Sequence, residues 1–265
     1  MSPLQAASSQ LGRRAWPMMT KVPKVTAYFW IVKLLTTAMG EATSDFSVQQ
    51  INPYLAVSLG FVALVAVLVL QFSVRRYIAW VYWLTAAMVA ITGTMAADVL
   101  HVALGVPYII SAAGFAVTLA VVFVVWYSSE KTLSIHSIYT PKREVFYWAT
   151  VMATFALGTA LGDLSAYTAN LGYVTSLILF IVIFAVPALA YWRFKINAIL
   201  AFWLAYIMTR PIGASFADWV AKPHSLGGLG VGDGKVSLCL TVVLIIFVVY
   251  LSTSHKDSQD KTNEA

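Results

Sequence analysis

A tryptophan followed ten residues later by glycine and fifteen residues later by aspartate occurs four times in this chain: Trp30/Gly40/Asp45, Trp83/Gly93/Asp98, Trp148/Gly158/Asp163 and Trp203/Gly213/Asp218. Each copy marks the start, middle and end of an apolar stretch long enough to cross a bilayer. The pattern is that of one duplicated unit. Any fold that accommodates it must place four carboxylates in equivalent positions, in segments where a charge is expensive.

The rest of the composition narrows the class. Hydrophobic residues make up 60% of the chain and charged residues 11%, with a mean hydropathy of +0.79. An ordinary soluble domain has roughly 45–50% apolar and about 25% charged residues, so a soluble fold of this size could not hide the apolar surface. No Gly/Ser- or Pro-rich linker divides the 265 residues, and one membrane domain is the economical organisation. The sequence predicts a cytoplasmic N-terminal segment over 1–24, a membrane domain over 25–252 with repeats near 25–73, 77–128, 144–192 and 196–252, and a polar, loose cytoplasmic tail over 253–265. The first segment lacks the short apolar core and small-residue cleavage site of a secretory signal, so the first span is expected to be retained. Cys239 is the single cysteine and gives no disulfide or metal signal.

Eight spans are predicted, each near the ~20 residues a helix needs to cross the hydrocarbon layer. They run over Thr26–Phe46, Pro53–Phe72, Ile78–Leu100, Pro107–Tyr127, Val145–Thr168, Leu171–Tyr191, Ile196–Trp219 and Val236–Leu251. The fold class is therefore all-α: a polytopic membrane protein whose eight transmembrane helices come from four parallel tandem hairpin repeats. Odd spans carry the Trp-Gly-Asp pattern, and even spans are apolar scaffold. Arg13, Arg14, Lys21, Lys24, Arg75, Arg76, Lys131, Lys142, Arg143, Arg193, Lys195, Lys256 and Lys261 fall on one side, whereas Lys222 and Lys235 fall in loops on the other. That asymmetry predicts both termini in the cytoplasm and the Asp residues at the outer ends of the odd spans. Basic loops of this kind answer to anionic lipid, and nucleic acid is not an expected partner. The run Gly227–Gly234 lacks the Gly-Lys-Ser/Thr ending of a phosphate loop and reads as a flexible turn.

At about 100° per residue, positions +3, +7, +11 and +15 from each Trp share one helical stripe. In the first repeat these are Lys33, Thr37, Glu41 and Asp45. Elsewhere the stripe holds Thr94 and Asp98, Thr159 and Asp163, and Arg210 and Asp218. A stripe so polar belongs in the bundle interior. Glu41 and the four Asp residues are thus the candidate substrate- or ion-binding groups, and the candidate metal ligands. Lys33, Arg210 and Pro211 are the candidate charge-balancing or gating residues, Pro211 by loosening its helix. Five acids against two bases leave a formal excess of −3 on the stripe if all are ionised, which favours a cation, a protonated amine or a proton. Carboxylates and hydroxyls suit a hard divalent ion, with no His/Cys cluster for zinc or copper. No cofactor is required, and a divalent cation would be substrate.

Gly40, Gly93, Gly158 and Gly213 permit close helix approach or bare a carbonyl beside a ligand. Trp30, Trp83, Trp148 and Trp203 are either interfacial anchors or the closure of a central pathway. His101 reads as a boundary residue. No nucleophile elbow, zinc-protease or dinucleotide motif is present, and an enzyme is not the expected class.

The four Trp residues, with their Gly and Asp companions, resemble the bacterial family of uncharacterised membrane-anchored proteins made from four tandem repeats, each with two transmembrane regions and a conserved tryptophan. The resemblance covers the whole membrane region. It implies eight spans and the bacterial inner membrane, and supplies no substrate and no protein partner. The function expected is a small transporter moving a cation through an acidic central site, with proton coupling. The alternative is a non-transporting membrane sensor or scaffold with a buried charge network.

Overall fold

The computed structural model describes residues 20–258. Arg13, Arg14 and Lys261 lie outside them. Eight long helices form among the described residues: α1 (Ala27–Gln50), α2 (Pro53–Ser73), α3 (Ala79–Asp98), α4 (Tyr108–Glu130), α5 (Pro141–Asp163), α6 (Gly172–Phe194), α7 (Ala198–Ala221) and α8 (Asp233–Ser254). Their starts follow local chemistry. Asn52, Thr140 and Asn197 cap α2, α5 and α7 through side-chain oxygens, and Pro53 and Pro141 open their helices where a missing N–H costs nothing. Helices α4, α6 and α8 end on left-handed Lys131, Lys195 and His255, side chains that suit a helix C-terminus.

Seven of these helices are long and apolar enough to cross a membrane. The exception is α1, whose length is sufficient but which carries Lys33, Glu41 and Asp45. The helices form two shells. In α2, α4, α6 and α8 only 22% of the most apolar stretch is buried, against 61%, 72% and 61% in α3, α5 and α7. The inner shell is a closed ring, α1–α3–α5–α7 and back to α1.

The repeat glycines make that ring. A Cβ added to Gly40 would lie within 3.0 Å of Ala90 on α3, one on Gly93 would lie 2.7 Å from Phe155 Cβ on α5, one on Gly158 would lie 2.5 Å from Arg210 Cβ on α7, and one on Gly213 would strike Thr37 and Ala38 on α1. Each glycine thus admits the next inner helix at close range. The outer helices are shifted by one. Helices α2, α4 and α6 pack mainly against α3, α5 and α7, the inner helices that follow them, and α8 packs mainly against α1. Helix α7 runs unbroken through Pro211.

Both ends of the ring are covered. At the Trp end, residues 20–24 are packed rather than free: Lys21 N donates to Ile138 O (2.8 Å) and Lys24 N to Asp257 O (2.8 Å). Lys21 forms a buried ion pair with Glu144, which also accepts from Gln71 Nε2 at 2.8 Å. Tyr77 donates to the buried Asp257, so the start of the tail is docked as well. At the Asp end, the glycine run is not a free turn. The amides of Leu229, Gly230, Val231 and Gly232 donate to the carbonyls of Trp219, Lys222, Val220 and Ala221, satisfying the end of α7. Positive φ at Gly227, Gly230 and Gly232 is what this fold-back needs, and glycine reaches it without a Cβ clash.

Candidate functional site

Ring closure stacks the equivalent positions of the four repeats in layers along one axis. The +7 layer is Thr37, Ala90, Phe155 and Arg210, the +11 layer is Glu41, Thr94, Thr159 and Ala214, and the +15 layer holds the four Asp residues. Arg210 is 1% exposed and reaches from its own layer into the next. Its Nη2 meets Glu41, Thr94 and Thr159, the +11 residues of all three other repeats, with Thr159 Oγ1 at 2.8 Å. Nη1 donates to Thr37 O at 3.4 Å. One guanidinium therefore occupies the centre of the ring, paired with Glu41, which is 4% exposed. Such a pair holds because the charges satisfy each other where water does not reach.

Lys33 lies towards the Trp end and differs from Arg210 in kind. It is 1% exposed, and among the described residues no carboxylate oxygen stands within ion-pair distance of its Nζ. Instead the Nζ rests over the rings of Phe155 (3.8 Å) and Tyr206 (4.2 Å). The axis beyond it is filled with aromatic side chains. Phe29, Tyr82, Trp83, Tyr147, Trp148, Trp203 and Tyr206 are all buried in one cluster, with Tyr82 and Tyr147 bonded through their hydroxyls. Three of the four repeat tryptophans belong to this cluster. Trp203 Nε1 donates to Leu133 O at 2.9 Å, while Trp30 is half-buried against Phe184 and Phe202.

At the other end, carboxylate oxygens of Glu41, Asp45 and Asp218 lie within 4.8 Å of one another. These are the atoms that could hold a metal ion. Lys222, which the sequence places in an outer loop, turns back onto them. It pairs with Asp45, and its Nζ stands 3.3 Å from Asp233 and 3.8 Å from Asp218. Burial works to lower its ammonium, but Asp45, Asp218 and Asp233 together hold it above its usual value. Asp233 also accepts from Gln49 at 2.8 Å. Neither Lys222 nor Asp233 follows from the repeat pattern; the one local signal is that Lys222 stands four residues after Asp218. With every group counted as ionised, six carboxylates against Lys33, Arg210 and Lys222 leave the formal excess at −3. Asp98 and Asp163 share the electrostatic neighbourhood of Glu41 and Asp45, and among the described residues neither has an ion-pair partner. Each is followed by a π-helical turn, Val99–Ala103 and Leu164–Thr168.

Most hydroxyls near the axis serve the backbone. Thr36, Thr85, Thr92 and Thr209 bond carbonyls of their own helices. Ser44 and Ser215 are buried with no partner among the described residues, as is Arg210 Nε. His101 bonds Val106 O at 2.8 Å and stacks on Tyr108.

Fold and site together define an all-α protein of four tandem helix pairs, ringed around a buried charge network. The chain belongs to the family described as Repeat of Unknown Function (DUF347), whose model matches residues 28–77, 81–132, 146–197 and 201–257. Each repeat tryptophan is the third residue of its match. No curated protein and no solved structure matches the chain.

Proposed function

We propose that this chain is a multi-pass protein of the bacterial inner membrane, with both termini cytoplasmic, that works as a non-transporting sensor or scaffold around a buried charge network. The observation that carries this reading is the axial guanidinium. Arg210 gathers the equivalent residues of the other three repeats, and Phe155, Lys33 and the aromatic cluster fill the axis beyond it. A pathway for ions needs a wetted polar route past these groups, and large buried side chains stand where it would run. The membrane part of the reading is supported by the outer shell, where residues such as Val117, Val124, Ile178, Val182, Leu189 and Ile246 are exposed on long apolar helices. Soluble monomers rarely expose apolar patches of that extent.

Cation transport is the second reading, favoured by the four Asp residues at one level and the carboxylate excess. Proteoliposome flux separates the two. With Mn²⁺, Mg²⁺, Ca²⁺, Zn²⁺, Na⁺ and small amines under an imposed pH gradient, the wild type should move none faster than protein-free liposomes. Saturable flux that disappears in a folded Glu41→Gln/Asp45→Asn variant would establish transport instead.

A further inference from the structure

At the Trp end of the ring the four outer helices finish differently. Beyond α4, Glu130 takes both Lys142 (3.2 Å) and Arg143 (2.9 Å). Beyond α8, Lys256 bonds the Tyr250 hydroxyl at 2.5 Å. The end of α2 is held by residues 20–24, with Lys21 Nζ 3.4 Å from Phe72 O and Tyr77 N donating to Thr20 O at 3.1 Å. The end of α6 shows neither kind of arrangement. Arg193 and Lys195 are exposed there, and among the described residues no carboxylate lies within ion-pair distance of either.

We propose that the end of α6 binds one anionic phospholipid of the cytoplasmic leaflet, its phosphate on Arg193 and Trp192 and an acyl chain along the helix face below them. The proposal rests on the membrane reading above and goes beyond it by naming a lipid class and its seat.

The seat is an open cavity of about 360 Å³ lined by Val186, Leu189, Ala190, Trp192, Arg193 and Phe194. Five of these recur at the spacing of one helix face, with Arg193 at its polar end. Val182, Val186 and Leu189 continue that face away from Arg193, and each is more than half exposed. From Val182 to Arg193 the face runs about 16 Å at the rise of a helix, which matches the ~15 Å of hydrocarbon in one leaflet. The lane therefore has the length and chemistry of an acyl chain, and it ends at a charge.

The polar end fits a phosphate. The Arg193 guanidinium stands 5.7 Å from the centre of the Phe194 ring and can present paired N–H donors to phosphate oxygens. Trp192 is 72% exposed, and its indole N–H, which has no partner among the described residues, is a second donor at the depth where interfacial tryptophans sit. Lys195, the left-handed residue that ends the helix, adds a second positive charge two positions on. A phosphatidylcholine headgroup brings its own ammonium and gains little from these cations, whereas phosphatidylglycerol carries a net negative charge. Each basic residue near an anionic membrane surface is worth about fivefold in affinity.

The test reconstitutes the full chain into vesicles of equimolar phosphatidylcholine and phosphatidylglycerol with matched acyl chains. Lipid retained after transfer to mild detergent is then counted by native mass spectrometry. Wild type should keep one phosphatidylglycerol with at least fivefold preference. Arg193→Gln/Lys195→Asn should lose that preference; Asn suits the positive φ at 195. Arg75→Gln/Arg76→Gln removes as much charge from exposed residues that do not line the cavity, and should keep it. Phosphatidylglycerol with brominated chains should quench tryptophan fluorescence more than brominated phosphatidylcholine does, and Trp192→Phe should remove the excess.

A preference that survives Arg193→Gln/Lys195→Asn, or that falls equally in Arg75→Gln/Arg76→Gln, overturns the proposal. So does a quenching excess unchanged in Trp192→Phe. Millimolar inorganic phosphate should leave the lipid bound, and release by it would mean an anion site without an acyl seat. Should Arg193→Gln/Lys195→Asn not fold, the quenching comparison decides alone. Insertion into phosphatidylcholine vesicles without any preference in the mixture overturns this proposal only, whereas failure to insert overturns the membrane reading and the proposal with it.

Discussion

Replacing Arg210 with Met tests whether the axial guanidinium holds the ring together. The structure limits what is lost. Thr94 and Thr159 keep their bonds to Ala90 O (3.0 Å) and Phe155 O (3.1 Å) on their own helices, so their hydroxyls stay satisfied without Arg210. The cost falls on Glu41, which is 4% exposed and has no other cation within ion-pair reach among the described residues. Breaking a buried pair on one side costs about 3–5 kcal/mol, on the order of 10 °C in melting temperature for a chain of this size. Thermal unfolding in detergent micelles, followed by tryptophan fluorescence, measures it. The double variant Arg210→Met/Glu41→Leu should recover most of the loss, because removing both charges removes the desolvation penalty too. A loss below about 1 kcal/mol in Arg210→Met, the level of an exposed ion pair, would refute the reasoning, as would a double variant no better than the single.

Three further outcomes follow from other contacts. Gly213→Ala should destabilise by about 1–3 kcal/mol, since its Cβ would meet Thr37 Cβ at 2.6 Å and the backbone nitrogen of Ala38 at 2.7 Å; Gly114→Ala, with open space around it, should be neutral or mildly stabilising in the same melt. Trp203→Phe removes the donor to Leu133 O and should cost about 1–2 kcal/mol, with faster exchange at neighbouring amides of the 131–140 loop as the local readout. Burial raises the Asp257 carboxyl above its ordinary 3.8. The folded state therefore holds that proton more tightly than the unfolded state, and the stability contribution falls as pH rises from 3.8 through the folded value. The stability of wild type relative to Asp257→Asn should decline over that window, and a difference that is flat or rises with pH would contradict it.

The fourfold pattern made much of this architecture legible. Helical spacing placed Glu41, Thr94, Thr159 and Arg210 on inward stripes, and small residues at fixed intervals foreshadowed the close approach at Gly40, Gly93, Gly158 and Gly213. What periodicity could not supply was the side-chain reach between layers. Lys33 and Arg210 looked like equivalent counter-charges, but one rests on aromatic rings and the other centres the hydroxyl layer, a difference set by neighbours on other helices. The turn at residues 222–232 was equally hidden. Glycines signal freedom of φ, not destination, and only the unsatisfied carbonyls at the end of α7 explain why the loop returns and carries Lys222 onto Asp45. A repeat of hairpins also suggests that helices pair within each hairpin, whereas α2 packs mainly on α3.

That shift by one helix has a topological consequence. Because α8 completes the pattern against α1 as α2 does against α3, the ring has no intrinsic first member. The segments that lead into α1 and out of α8 meet in that closed circuit, where Lys24 N donates to Asp257 O at 2.8 Å. A polypeptide in which residues 24 and 257 were joined by a linker and the 131–140 loop was opened instead would encounter the same sequence of neighbours, in rotated order.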